Sequence, residues 1–204
     1  MKKVLVIDLD GTLIHTDMLY ETFWSAFSKD WKIPFKSIIW CSTSKAYLKH
    51  RLNLSADVNI KNLPYNLAVI DHIKKNRKKY KYVILVTASN QLIANKIAKY
   101  LNLFDEVKGS TKELNLKGAA KAKFLKNHFG AKNYDYIGDS LIDVPVWKNA
   151  DKAIRINANK RIKKACKKVN KNFYQIKSKS TQNTFSKLPR TMRIHQWVKN
   201  FLVF

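Results

Sequence analysis

Three short runs of branched apolar residues punctuate the chain, and each stops at a polar turn. Val4-Leu5-Val6-Ile7 gives way to Asp8-Leu9-Asp10-Gly11-Thr12, Val83-Ile84-Leu85-Val86 to Thr87-Ala88-Ser89, and Tyr134-Asp135-Tyr136-Ile137 to Gly138-Asp139-Ser140. Unbroken apolar runs of this length read as strands buried on both faces, as in a parallel sheet. Weaker strands are expected at 104–107 and 153–156. Between them the period changes to that of helices: 90–101 sets Leu92, Ile93, Ile97 and Leu101 on one side, and 117–129 sets Ala120, Phe124, Leu125 and Phe129 at helical spacing. Helices are also expected at 66–79 and 158–169. Strands alternating with helices predict an α/β fold with a doubly wound parallel sheet.

One stretch breaks the alternation. From Ile14 to about Tyr65 the sequence is rich in aromatic residues (Tyr20, Phe23, Trp24, Phe27, Trp31, Phe35, Trp40, Tyr47) and reads as two or three short helices. It follows directly on the first strand and turn, so it reads as a helical insertion over the C-terminal edge of the sheet. The expected organisation is a core of 1–13 and 66–175, a helical cap of 14–65, a polar linker of 176–189 and a basic, aromatic segment of 190–204.

Charge alters this picture only in part. The 204 residues hold 40 Lys+Arg against 14 Asp+Glu, a formal net charge of +26. Three explanations compete: nucleic-acid binding, an anionic membrane surface, and a lysine-rich decoration of solvated faces. No helix-turn-helix, zinc-finger or aromatic RNA-binding signature accompanies the lysines, so nucleic acid is not an expected partner. Solvated decoration is the first reading for most lysines, and a membrane surface for the C-terminal ones. Two cysteines, Cys41 and Cys166, show no pairing pattern, and Asp8 and Asp10 interrupt the N-terminal apolar run too early for a signal peptide. Both features suit a reducing cytoplasm.

In an open parallel sheet, ligands bind at the C-terminal ends of the strands. Here those ends carry Asp8 and Asp10, Thr87 and Ser89, and Asp139 and Asp143, with Lys117 at a helix start. Any one aspartate there could merely cap a turn; the whole set suits attack on a phosphate ester. A phosphate dianion repels an anionic nucleophile, so an attacking carboxylate needs a cation beside it, and Asp8 and Asp139 can give Mg²⁺ the hard oxygens it takes. An aspartyl-phosphate on Asp8 would split one difficult displacement into two easier ones. Asp10 could protonate the leaving oxygen and then deprotonate water. Gly11 permits a sharp turn and close approach of backbone to phosphate. The Thr87 hydroxyl, the backbone through Ala88 and Ser89, and the Lys117 charge could hold phosphoryl oxygens.

These segments resemble the motifs of the haloacid dehalogenase (HAD) phosphatases. Asp8-Leu9-Asp10-Gly11-Thr12-Leu13 is similar to their DxDGT signature, Val86-Thr87-Ala88-Ser89 to the second motif, Asn115-Leu116-Lys117-Gly118 to the third and Gly138-Asp139-Ser140-Leu141-Ile142-Asp143 to the fourth, GDxxxD. They stand in the family's order over residues 1–156. The resemblance implies a Rossmann-like core with a small C1 cap, a phosphatase, and Mg²⁺. It further implies Asp8 as nucleophile and metal ligand, and Asp10 as general acid/base that also lends its backbone carbonyl to the metal. Thr87, Ala88, Ser89 and Gly11 would bind phosphate, Lys117 would steady the phosphoryl group, and Asp139 would complete the metal site. Asp143 would hold the lysine or a metal-bound water. Lys121, one helical turn past Lys117, is the alternative lysine. An acid at position 10 implies turnover by hydrolysis or transfer within a mutase, and hydrolysis is the favoured reading. His15, Asp17, Tyr20 and Glu21 lie just past the nucleophile loop, where they could meet substrate.

The segment from Leu188 to Phe204 resembles the RPxQWxKNxLVF entry segment of UbiA-type intramembrane prenyltransferases, some of which carry a HAD domain in front. Asp17-Met18-Leu19-Tyr20-Glu21 and Leu63-Pro64-Tyr65-Asn66 are similar to the caps of those fused domains. The resemblance implies a phosphatase acting on a phosphorylated small molecule or a lipid-linked sugar phosphate, in a polyprenyl-phosphate and phosphoribose pathway at the inner face of a membrane. It also makes Phe204 the expected point at which a prenyltransferase has been cut or split away. Two alternatives remain: a non-catalytic membrane-surface scaffold, and a small-metabolite phosphatase unrelated to lipids.

Overall fold

The computed structural model describes residues 3–111, 114–156 and 160–177. Six strands, β1 (Lys3–Ile7), β2 (Tyr80–Asn90), β3 (Glu106–Ser110), β4 (Tyr134–Gly138), β5 (Ala153–Ile156) and β6 (Phe173–Ile176), form one sheet in the order β3-β2-β1-β4-β5-β6. All five pairings are parallel. The expected α/β doubly wound architecture is therefore present. The chain builds outward from β1 in one direction through β2 and β3, and in the other through β4 to β6. That reversal opens a crevice at the C-terminal ends of β1 and β4, where open α/β sheets bind ligands.

Alternation along the strands divides the interior in two. Leu5, Ile7, Val83, Leu85 and Ile137 face α4 (Leu67–Asn76) and α5 (Gln91–Leu101), where Val69, Ile73, Ala94 and Ile97 are fully buried. Val4, Val6, Ile84, Val86, Tyr134 and Tyr136 point the other way, against α6 (Ala119–Phe129), α7 (Val144–Asn149) and α8 (Lys160–Val169), with Leu125, Trp147 and Cys166. Burial on both faces explains why the central strands carry unbroken apolar runs.

Between β1 and α4 stand α1 (Met18–Phe27), α2 (Ile33–Thr43) and α3 (Lys45–Ser55). They enclose a small core of their own, Ala26, Ile33, Trp40 and Leu52, joined by Phe23, Phe27 and Leu48. The insertion is thus three helices, each with a physical start. Asp17 caps α1 by accepting from the Leu19 amide, Pro34 occupies the first turn of α2, and Ser44 caps α3 by accepting from the Tyr47 amide.

Several boundaries differ from expectation. β3 begins two residues later than 104–107, because Asp105 is used differently: its carboxylate accepts from the Val83 amide at 2.6 Å and its own amide donates to the Val83 carbonyl, starting the ladder. β2 runs on through Thr87, Ala88 and Ser89. On α5 it is Ala94 and Ala98 that accompany Ile93 and Ile97 inward, while Leu92 stands 64% exposed. α7 and β6 were not expected. α7 is a short turn-length helix, and β6 is an edge strand whose Phe-Tyr-Gln-Ile is only partly buried. Residue 176 of the expected linker closes β6; the rest of that linker after 177, and the segment 190–204 with its resemblance, lie outside the described residues. Among the described residues, no helix is long and apolar enough to cross a membrane.

Candidate active site

Asp8 is the first residue after β1, and its amide makes the last bond to β4, donating to the Ile137 carbonyl at 3.0 Å. It shares parity with Val4 and Val6, so its side chain falls on the face covered by α6. There Lys121 Nζ donates to Asp8 Oδ1 at 2.7 Å and to the Tyr136 hydroxyl at 3.0 Å. The Tyr136 hydroxyl in turn donates to Asp143 Oδ1 at 2.7 Å. The other Asp143 oxygen accepts from the Asp139 and Ser140 amides at 3.2 and 3.1 Å. Lys121, Tyr136 and Asp143 thus form a buried chain beneath the cleft.

The expected lysine, Lys117, does not touch Asp8. α6 begins at Ala119, behind Gly118 with φ +53°, so Lys117 lies on the preceding loop, exposed at the rim of the cleft. Lys121 lies in the first helical turn on the same side as Leu125 and is 3% exposed. The alternative lysine is the one in contact.

Asp139 completes an acidic group: carboxylate oxygens of Asp8, Asp139 and Asp143 lie within 4.8 Å of one another. Burial pushes Asp8 up to about 7, against the pull of Lys121 and with help from Asp143 and Asp10. Burial, then the charge of Asp143, pushes Asp139 up to about 6. Carboxylates crowded in this way favour a bound cation, and an all-oxygen donor set suits Mg²⁺. Both oxygens of Asp143 are already taken by Tyr136 and backbone amides, which leaves Asp8 and Asp139 as the natural ligands.

Asp10 faces elsewhere. Its Oδ1 accepts from the Met18 amide, the first of α1, at 2.7 Å, and its Oδ2 accepts from Ser89 Oγ at 2.7 Å. Burial raises its pKa, with the Ser89 and Met18 bonds opposing. A carboxyl that holds its proton more readily than usual is suited to donating one. The Thr87 hydroxyl is fully buried, accepting from the Ser89 amide at 2.9 Å and reaching Asp10 Oδ2 at 3.4 Å. Ala88 and Ser89, not Thr87, line the open cleft.

Gly11 has φ +73°, and a Cβ there would stand 2.3 Å from Asp139 Oδ2, so only glycine leaves that carboxylate its place. The loop is tied back by Leu13, whose amide donates to the Leu9 carbonyl at 2.9 Å, and by Asn66 Nδ2, which donates to the Thr12 carbonyl at 3.1 Å.

The cleft, about 490 Å³, brings together Asp8, Asp10, Gly11, Ala88, Ser89, Lys117, Lys121, Asp139 and Asp143. His15 and Asp17 also line it, whereas Glu21 accepts from Thr16 Oγ1 at 2.9 Å and Tyr20 lies in a separate hollow on the cap. Two participants have no sequence signal of their own. Tyr136 reads as strand core, and Lys49 is one of many cap lysines, yet its Nζ spans from α3 to the Ala88 carbonyl at 2.9 Å. Beyond Lys49 a second hollow of about 330 Å³ shares Leu19, Lys49 and Lys117 with the cleft and adds Lys45, Leu48 and His50. Among the described residues, no acid lines it.

No protein-family model matches the chain. It is 33% identical over 206 residues to the uncharacterized protein y4nM of Sinorhizobium fredii (strain NBRC 101917 / NGR234), a match that takes in all of this chain and 39% of that relative. The chain therefore spans well under half the length of the curated relative it matches. Among solved structures it is similar to a phospho-aspartyl intermediate analogue of phosphoserine phosphatase, with a TM-score of 0.58 and 18% identity over 87% of this chain and 94% of that one. A haloacid dehalogenase-like hydrolase, SP0104 of Streptococcus pneumoniae, gives a TM-score of 0.54 and 17% identity over 86% of this chain and 94% of that one. At these identities the likeness is one of architecture. The chain has the fold of the haloacid dehalogenase-type phosphatases.

Proposed function

We infer that the chain is a phosphomonoester hydrolase that works through an aspartyl-phosphate on Asp8, with Mg²⁺ as cofactor. The observation that carries this reading is the setting of Asp8: a nucleophile-ready carboxylate at the strand reversal, bonded to Lys121 at 2.7 Å and grouped with Asp139. Asp8 and Asp139 would hold the ion, which supplies positive charge against the repulsion between carboxylates and a phosphate dianion. An Asp8 oxygen then forms a bond to phosphorus as the bond to the ester oxygen breaks, and Asp10 gives its proton to that departing oxygen. In the second half Asp10 takes a proton from water, the water oxygen bonds to phosphorus, and phosphate leaves with Asp8 restored. Lys121 balances charge beside the nucleophile throughout, while Ser89 and the Met18 amide hold Asp10 in place.

For the leaving group, the second hollow is informative. Lys45, Lys49, His50 and Lys117 gathered in one hollow suit a leaving group that carries another anionic function. A sugar phosphate joined through a second phosphate to a lipid meets that description. It also agrees with the prenyltransferase-like sequence after Leu188 and with a matched relative that extends far beyond this chain. On this reading the enzyme sits in the cytoplasm at the inner face of the membrane.

Release of inorganic phosphate from a panel of pentose phosphates and a phosphoribosyl-lipid analogue, with and without Mg²⁺, tests the proposal. Turnover should require Mg²⁺, and Asp8→Asn should lower it by at least on the order of 10³-fold. Unchanged turnover in Asp8→Asn would refute the assignment of the nucleophile. Hydrolysis of simple pentose phosphates but not of the lipid analogue would leave the reaction and remove the lipid.

A further inference from the structure

The middle cap helix is apolar on both sides. Ile33 and Trp40 of α2 are buried against α1 and α3, at 1% and 8% exposure. On the opposite side Phe35, Ile38 and Ile39, with Trp31 just before the helix, stand 63%, 72%, 66% and 68% exposed. Their helical spacing places Phe35, Ile38 and Ile39 within one stripe about 100° wide. The Trp31 and Phe35 rings meet edge to face at 6.2 Å, so the stripe is continuous at its start. Its bare area is roughly 500 Å², near the top of what a soluble monomer leaves uncovered. A helix that is hydrophobic all round is normally covered all round.

Charge selects the cover. Lys29, Lys32 and Lys36 flank the stripe, and from Ser28 to Arg51 the cap carries six Lys and Arg against a single acid, Asp30. Asp30 is itself bonded to Lys36, and Lys32 Nζ lies 5.9 Å from the centre of the Trp31 ring. A second copy of the chain is a poor cover, because each copy brings a net charge of +26. An anionic bilayer surface fits: tryptophan and lysine settle at the headgroup level while phenylalanine and isoleucine enter the acyl boundary. We propose that the α2 stripe, Trp31, Phe35, Ile38 and Ile39, is a docking surface for an anionic membrane, holding the cap against the lipid. Cys41, about one helical turn past Ile38, lines the hollow that adjoins the catalytic cleft, so the stripe ends beside the opening through which a lipid-linked substrate would enter. The surface is independent of the phosphatase assignment, since vesicle binding and ester turnover are separate measurements.

The test is co-sedimentation of the full chain with phosphatidylcholine vesicles, with and without ~30% phosphatidylglycerol, for the wild type and for a triple variant Phe35→Ser, Ile38→Ser, Ile39→Ser. These side chains are exposed, so the variant should keep its circular dichroism, its Tm and its turnover of a soluble ester. The wild type should bind the phosphatidylglycerol vesicles and the triple variant should bind them at least about tenfold more weakly, the loss of three partly inserted apolar groups. Equal binding by the two proteins would overturn the proposal, because attraction would then reside elsewhere, including the basic segment after residue 189. A concentration-dependent dimer in sedimentation velocity that the triple variant abolishes would also overturn it, in favour of a second copy as the cover.

Discussion

Lys121 Nζ lies 2.7 Å from Asp8 Oδ1, deep in a cleft at whose rim Lys117, four residues earlier, stands exposed. The difference comes from where α6 starts. Gly118, with φ +53°, ends the loop, and only from Ala119 onward does helical geometry carry a side chain back under the nucleophile. Removing the two lysines should therefore have unlike consequences. Lys121→Met should lower kcat by about 10²–10³-fold, the usual effect of deleting a charge that stabilises the transition state. Lys117→Met should leave kcat within a few-fold and act on KM, since Lys117 lines the rim shared with the basic hollow. Steady-state kinetics on one ester separates the two; equal losses of kcat would refute the assignment.

The acidic group makes stability depend on pH. Asp8 is raised from 3.8 to about 7 and Asp139 to about 6, each chiefly by burial. Both groups bind protons more tightly in the folded than in the unfolded state between pH about 4 and 7. Stability therefore falls as pH rises through that window and stays low above it. The part due to Asp139 is isolated by comparing wild type with Asp139→Asn. Relative to the variant, wild-type Tm should drop by about 5 °C between pH 5 and pH 8 in the presence of a chelator. Mg²⁺ competes with those protons, so the rise in Tm that it produces should be larger at pH 8 than at pH 5. Differential scanning fluorimetry at the two pH values reads both effects.

Tyr136 is the joint between Lys121 and Asp143, and burial holds its hydroxyl well above the ordinary tyrosine range. It therefore accepts from one neighbour and donates to the other at any working pH. Tyr136→Phe keeps the ring among Val6, Val146 and Trp147 but strands a lysine proton and a carboxylate oxygen. A loss of about 1–3 kcal/mol is expected in denaturant unfolding, with m unchanged. If Tyr136 also positions Lys121, kcat should fall while KM for the ester holds. A stability loss with kcat intact would limit its role to structure.

Much of the architecture was legible because the central strands are buried on both faces and so have unbroken apolar runs. The edge was not: β6 is paired on one side only and is partly buried, and Phe-Tyr-Gln-Ile carries no such run. In the site, Asp8, Asp10 and Asp139 were legible as acids at strand ends, because the topology of a parallel sheet gathers those ends. Which lysine meets Asp8 was not, since a pattern that seeks apolar residues on the inner side of α6 selects Ala120 and Phe124 and passes over a buried lysine. Nor was the burial of the Thr87 hydroxyl, which depends on β2 continuing through the motif to Asn90. Lys49 was invisible for a different reason: its contact with the Ala88 carbonyl joins cap to core across 39 residues of sequence.

Gly11 offers the sharpest separation of backbone strain from site chemistry. Its φ of +73° is costly for any other residue, and a Cβ would also stand 2.3 Å from Asp139 Oδ2. Gly118 also has a positive φ, +53°, but a Cβ there would meet only Ile142, its Cγ2 at 3.3 Å and its carbonyl oxygen at 3.6 Å. Alanine at either position should cost about 1–3 kcal/mol through the positive φ. Only Gly11→Ala displaces a carboxylate of the acidic group. The Mg²⁺ concentration for half-maximal turnover should therefore rise at least about tenfold in Gly11→Ala, the loss expected when a metal ligand is misplaced. It should stay near wild type in Gly118→Ala. Equal Mg²⁺ dependence in the two variants, at comparable Tm, would mean that Asp139 does not hold the ion.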